Sequence, residues 1–307
     1  MLKPYRKTPL AFNQQLALLK QRGMAFNDDS SALSYLSSIN YYRLSSYWFP
    51  FRVHDSLGQR SHQFVEGTHF DEVLRLYEFD RQLRALVLDG LERIEVAIRT
   101  QMTYHMAHTY GPFGHTNAKN FHPKFNHTVW LSKLEDETNR SSDEFITHYR
   151  EKYIGFPRIP VWMLTEVMSF GALSYFYAGL HNDKKIGKQD NAAVSCIFNL
   201  HHKRLGDWLH KLTYVRNVCA HHSRLWNREL AIRPDKVKEN LWLPPITPRN
   251  DRIFYILLMM RYLLRNVKGG DEWVVDMNKL LAPICETSFY RASMGVPDDW
   301  INHPLWK

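Results

Sequence analysis

From Thr68 to His108 apolar residues return every three or four positions, and this long periodic run constrains the fold more than anything else in the chain. At 1.5 Å of rise per residue, an uninterrupted helix over it would be roughly 60 Å long. Its apolar stripe cannot stay in water, so other helices must cover it. Thr68 followed three residues later by Asp71 resembles a capping box and sets the start. Gly90, midway, is expected to divide the run into two helices.

Helical spacing governs most of the remaining sequence. Residues 11–22 and 28–40 read as short amphipathic helices, the second starting on an Asp/Ser cap. The stretch 41–52, YYRLSSYWFPFR, is too aromatic, and too broken by Pro50, for an ordinary surface helix. Glycine or proline at 111, 112, 114, 123, 155, 157 and 160 marks residues 110–160 as a loop-rich insertion with one helix at about 129–151. Helices are expected again at 161–180, 190–202, 204–225 and 252–267, with a connector at 234–250. The last helix is apolar enough to be buried but shorter than the roughly 20 residues a membrane span needs. The class is mainly α. Three segments follow: an N-terminal aromatic-rich helical extension (1–67), a helical bundle carrying the insertion (68–230), and a C-terminal connector with helices (231–307).

Forty Lys and Arg against 31 Asp and Glu leave the 307-residue chain at +9, which favours an acidic partner such as nucleic acid or an anionic membrane. Aromatics beside basic residues suit stacking on bases combined with phosphate contact, although an aromatic core uses the same residues. Cys196, Cys219 and Cys285 are odd in number and lack CxxC spacing, so neither a disulfide framework nor a cysteine zinc site is indicated. The first residues lack the apolar core of a signal peptide, and the expectation is a soluble, cytoplasmic protein without a membrane partner. Sixteen histidines form no HExxH or other zinc spacing, and the chain has no phosphate loop and no nucleophile elbow. No metal and no cofactor are expected.

Residues 204–225 hold the most informative segment, ending in YVRNVCAHHSRL. At about 100° per residue, Leu205, Trp208, Leu209, Leu212, Val215 and Cys219 share one stripe and should face the core. Asn217 and His221, one turn apart, point nearly the opposite way. Arg216 leaves from the edge of the stripe, where its long side chain can still swing outward. His222 and Arg224 follow where the helix should end. A basic last turn complements the helix dipole, and spacing alone leaves that plain reading standing beside a functional one.

The functional reading is chemical. Cleaving RNA without a metal needs a base for the 2′-hydroxyl, an acid for the leaving 5′-oxygen and a cation for the charge on phosphorus. Histidine serves as acid or base near neutrality, and arginine grips phosphoryl oxygens with two donors. Asn217 is suitably placed to orient the His221 ring. One chain offers too few such groups, but a two-fold homodimer with two such helices face to face offers two histidines and two arginines.

Arg216-Asn217, three further residues and His221 resemble the Arg, polar, three variable, His signature of HEPN-domain ribonucleases. A broader resemblance is to the Abi-like proteins of the AbiD/AbiF abortive-infection group, carried by INYYRLSSYWFPFR, LYEFDRQLR, LERIEVAIRTQM, YGPFG, VWMLTEVMSFGALSYFY and YVRNVCAHHSRLWNRE over about residues 35–230. This resemblance implies an all-α, HEPN-like helical bundle, an anti-phage function in bacteria and RNA as target. For some relatives it also implies association with a small structured noncoding RNA. By position, Arg216, Asn217 and His221 match the catalytic signature, while His222 and Arg224 lie beside it as support or RNA-binding candidates.

Two other constellations compete. Arg99 and His105 repeat the Arg-to-His spacing, but Leu91, Ile94, Ile98, Met102 and His105 share an apolar stripe, which makes His105 a core histidine. Glu95 and Arg99 have the favourable order for an i,i+4 ion pair, with Glu92 one turn back. Either glutamate is a candidate for orienting Arg216. In the 41–52 stretch, Tyr41, Tyr42, Tyr47 and Trp48 with Arg43 and Arg52 form either an aromatic collar or an RNA-stacking surface. The alternative to a ribonuclease is a non-catalytic protein that holds a structured RNA.

Overall fold

The computed structural model describes residue 4 and residues 8–54, 58–182, 187–235, 237–247 and 249–307. Lys236 and Pro248 of the expected connector lie outside them. The described residues form thirteen α-helices and one two-stranded hairpin, an all-α fold as expected. The chain divides into two compact units, Met1–Gln82 and Leu83–Lys307.

In the first unit, α1 (Phe12–Gln21), α2 (Asp29–Ser38) and α3 (Tyr41–Trp48) precede the hairpin and the first turns of α4 (Phe70–Tyr110). Asp28 caps α2 by accepting from the Ser30 and Ser31 N–H groups, and Asn40 caps α3 through the Tyr42 N–H. A 3-10 turn at Phe49–Phe51 carries Pro50 past the end of α3. Antiparallel β1 (Arg52–His54) and β2 (Arg60–Phe64) then pair Arg52 with Phe64 and His54 with Arg60. The periodicity did not announce this hairpin. Leu44, Tyr47 and Trp48 are fully buried; the Tyr47 hydroxyl donates to Asp80 at 2.7 Å, and Tyr41 packs edge-on against Trp48. Thr68 differs from the capping box expected of it, because its hydroxyl donates to the Val65 carbonyl at 2.6 Å.

In the second unit, Gly90 does not break α4, which runs unbroken from Phe70 to Tyr110. The residue is there for close packing. A Cβ would lie 2.6 Å from Trp273 Nε1 and 2.7 Å from Met260 Cε, and that indole N–H donates to the Leu86 carbonyl at 2.7 Å. Where one helix was expected at 129–151 there are two, α5 (His127–Arg140) and α6 (Glu144–Lys152), separated at Ser141–Asp143. The span 161–180 also splits, into α7 (Val161–Val167) and α8 (Phe170–Gly179). Met168 is extended there, and the Ser169 hydroxyl caps α8 through the Ala172 N–H. After the short α9 (Asp190–Ser195) comes α10 (His202–Ala220). The Tyr177 hydroxyl ties its start to α9, lying 3.0 Å from the His202 carbonyl and 3.1 Å from that of Asn191.

The unit closes with α11 (Ile253–Leu264), α12 (Gly270–Cys285) and α13 (Ser288–Met294). Every residue of α11 except Tyr262 is buried, as expected of a central core helix. No helix among the described residues is long and apolar enough to cross a membrane.

Candidate functional site at the end of α10

Leu205, Trp208, Leu209, Leu212, Val215 and Cys219 are all buried, so α10 lies on the core with the stripe its spacing requires. Asn217, Ala220 and His221 stay exposed on the other side, and Arg216 is half-buried between. Arg216 Nη1 sits 3.4 Å from Asn217 Oδ1, a long contact between neighbouring residues.

Three backbone bonds end the helix. The His221 N–H donates to the Asn217 carbonyl at 3.0 Å, His222 N–H to Cys219 at 2.9 Å, and Ser223 N–H to Val218 at 3.0 Å. The last two form a Schellman closure, with His221 as C-cap and His222 in the left-handed region at φ 55°. Leu225 and Trp226 are buried immediately afterwards, and Arg228 Nε donates to the Arg224 carbonyl at 2.8 Å. The turn is thus held from both sides.

The middle of α4 adds a second layer. Arg99 Nη2 meets Glu95 Oε1 at 2.7 Å and the Met168 carbonyl at 3.0 Å, while Arg99 Nη1 reaches Glu166 Oε2 at 3.3 Å. One guanidinium therefore ties α4 to the break between α7 and α8. Burial raises the Glu95 carboxyl above its ordinary range; Arg99 and Arg216 oppose the rise, and Glu92 adds to it. Arg216 thus lies within the electrostatic reach of Glu95, while Glu92 is exposed. Thr103 and Thr165 share a 2.7 Å hydrogen bond between α4 and α7.

Sequence reasoning missed Glu166 and the Met168 carbonyl, because no local pattern signals a partner 67 or more residues away. His105 needs correction. Its side chain is 21% exposed rather than in the core, and Nε2 lies 2.7 Å from Asp190 Oδ1. Tyr110 donates to the same carboxylate. Among the described residues no three His, Cys, Asp or Glu side chains gather as a metal would need.

Tyr41, Tyr42, Arg43 and Trp48 belong to the first unit. There Trp48 is fully buried and Tyr41 half-buried, whereas Arg43 is exposed and Tyr42 is 85% exposed. Of the four, Tyr42 and Arg43 are the exposed ones.

Residues 34–227, well over half the chain, match the family model of the Abi-like proteins. The chain belongs to the Abi-like protein family. The matched stretch of this Abi-like protein begins inside α2 and ends at Asn227, just past the turn that closes α10. It takes in Arg216, Asn217 and His221 with their α4 neighbours, and leaves α11–α13 outside. Comparison with curated proteins and with solved structures gave no match.

Proposed function

We propose that this Abi-like protein is a phage-defence ribonuclease of the AbiD/AbiF, HEPN type, cutting RNA through the substrate's own 2′-oxygen. A base takes the 2′-hydroxyl proton as the 2′-oxygen bonds to phosphorus; the bond from phosphorus to the 5′-oxygen breaks, and an acid returns a proton to that oxygen. The products carry a 2′,3′-cyclic phosphate and a 5′-hydroxyl. His221 is the acid or base, Arg216 binds the phosphate and its developing charge, and Asn217 orients the pair. Acid and base together need two histidines, which a homodimer with α10 facing α10 provides. This route uses no metal.

The observation that carries the reading is a polar cluster on the last turn of a helix whose other face is wholly buried: Asn217 and His221 in solvent, Arg216 between them and the core. Membership of the Abi-like family supports the defence role. Glu95, anchored by Arg99, supports a positioning role toward Arg216.

The test compares RNA from cells expressing wild type with RNA from cells expressing Arg216→Ala/His221→Ala, by sequencing 5′-hydroxyl ends. New ends in the wild type alone are expected, with the double variant down by about 10²–10⁴-fold in cleavage. Cleavage by clean protein should survive EDTA, and its loss there would sink the metal-free route. A second reading, RNA binding without cleavage, is favoured by Tyr104, which is 62% exposed and lies tilted against the His108 ring with centroids 4.0 Å apart. Identical end profiles with RNA copurifying would select it.

A further inference from the structure

Along α4, Arg81, Arg93 and Arg99 each meet a carboxylate about one turn away. The first unit also holds three arginines that do not. Backbone pairing gathers them: the Phe64 N–H donates to the Arg22 carbonyl at 2.9 Å, Phe64 stands opposite Arg52 in the hairpin, and Arg60 begins β2. Arg22 Nη1 donates to the Tyr41 hydroxyl at 3.1 Å, and Arg60 Nη1 donates to the Pro50 and Arg52 carbonyls at 2.8 and 3.2 Å. The Arg52 and Arg60 guanidiniums lie 5.7 and 5.2 Å from the centre of the Phe49 ring. The fold thus groups Arg52 with two arginines from outside the 41–52 stretch.

All three are half-buried, and their partners are neutral: a phenol, two carbonyls and a phenyl ring. Among the described residues no carboxylate pairs with any of them. Arg52 Nε is buried and finds no acceptor. Burial lowers the Arg52 guanidinium below its ordinary value and the Arg22 charge lowers it further, while Tyr41 opposes the fall. Like charges drawn together and partly desolvated, with a donor left over, are relieved by an anion that offers several oxygens. Phosphate is such an anion. Phe49 stays 46% exposed beside the cluster, and a ring next to cations suits a strand of nucleotides better than an isolated anion.

We propose that Arg22, Arg52 and Arg60 form a phosphate clamp on the first unit that holds the backbone of a single-stranded RNA, with Phe49 against a base. The inference rests on RNA as the ligand in the reading above, and not on its cleavage.

The test is fluorescence polarisation of a labelled, mixed-sequence single-stranded RNA over a salt series, in full-length protein carrying His221→Ala so that the probe stays intact. Arg22→Gln and Arg52→Gln should each flatten the slope of log affinity against log salt by about 0.7, the amount expected for one lost phosphate contact. Together they should flatten it by twice as much. Arg52→Lys keeps the charge and should keep the slope. Arg75→Gln removes the same charge from an exposed arginine of the same unit and should leave the slope unchanged. An unaltered slope in the double variant would overturn the proposal, and so would an equal flattening by Arg75→Gln, which would make the effect one of net charge. A lowered melting midpoint in Arg52→Gln would make that arginine a brace of the hairpin and overturn it too. Inorganic phosphate at constant ionic strength should not displace the RNA; displacement would reassign the cluster to a free anion. RNA left unbound by the protein with all three arginines intact would remove both this site and RNA as ligand, whereas unaltered slopes alongside cellular 5′-hydroxyl ends would remove this site alone.

Discussion

Residues 41–52 and 214–228 look alike on paper, each interleaving aromatic or apolar side chains with arginines. The fold treats them oppositely. In α3, Leu44, Tyr47 and Trp48 fall on one face and sink into the first unit, leaving Tyr42 and Arg43 outside. In α10 the buried stripe ends at Cys219, and Asn217 and His221 remain in solvent where the helix stops. Composition is shared, and helical phase decides which side chains are left over for chemistry.

The largest effect expected from breaking this contrast is on stability. Trp48→Ala removes a wholly buried indole and should cost about 3–5 kcal/mol in denaturant unfolding. Tyr42→Ala and His221→Ala, at exposed positions, should each stay within about 0.5 kcal/mol. A Trp48→Ala cost as small as that of Tyr42→Ala would show that the aromatic block is not part of the core.

A buried histidine sharpens the contrast with the exposed pair at the end of α10. Burial, with a further push from His127, lowers His115 from 6.5 to about 4, and its ring is 1% exposed. The folded protein therefore refuses a proton that the unfolded chain accepts between these two values. Stability from this group is complete above pH 6.5 and falls as pH drops through the window, by about 3 kcal/mol at pH 4. Urea unfolding of wild type and His115→Phe across that range measures it. The variant should lose less stability on acidification, and parallel curves would refute the assignment.

The part of the site that lies on α10 was legible because a 3.6-residue period fixes which side chains turn outward, although the helix expected to reach 225 stops at Ala220, closed by the left-handed turn at His222. The Asn217 contact with Arg216 and the left-handed turn at His222 depend on rotamers and dihedrals that no residue pattern encodes. Gly90 misled for a related reason: a glycine that breaks a helix and one that admits a tryptophan look identical in sequence. The break at Met168 and Ser169 hid inside a largely apolar run that reads as one helix, with Ser169 as the capping residue that marks it. Glu166 was invisible because its partner Arg99 comes from a distant part of the chain.

The smallest expected effect concerns that hidden layer. Glu95→Gln keeps the side chain's size but removes the negative charge that Arg216 shares with Arg99. The amide no longer attracts the Arg216 guanidinium across the space between them, so cleavage should fall by about fivefold. The melting midpoint should move little, since Arg99 still holds the Met168 carbonyl and Glu166. Glu166→Gln is the control. Its side chain is 57% exposed, its 3.3 Å contact with the largely buried Arg99 is long, and it does not act on Arg216, so its cleavage should match wild type. Measured together by 5′-hydroxyl ends, the two variants separate a charge that positions Arg216 from one that only braces α7. The reverse result, with Glu95→Gln silent and Glu166→Gln impaired, would move the positioning role from α4 to α7.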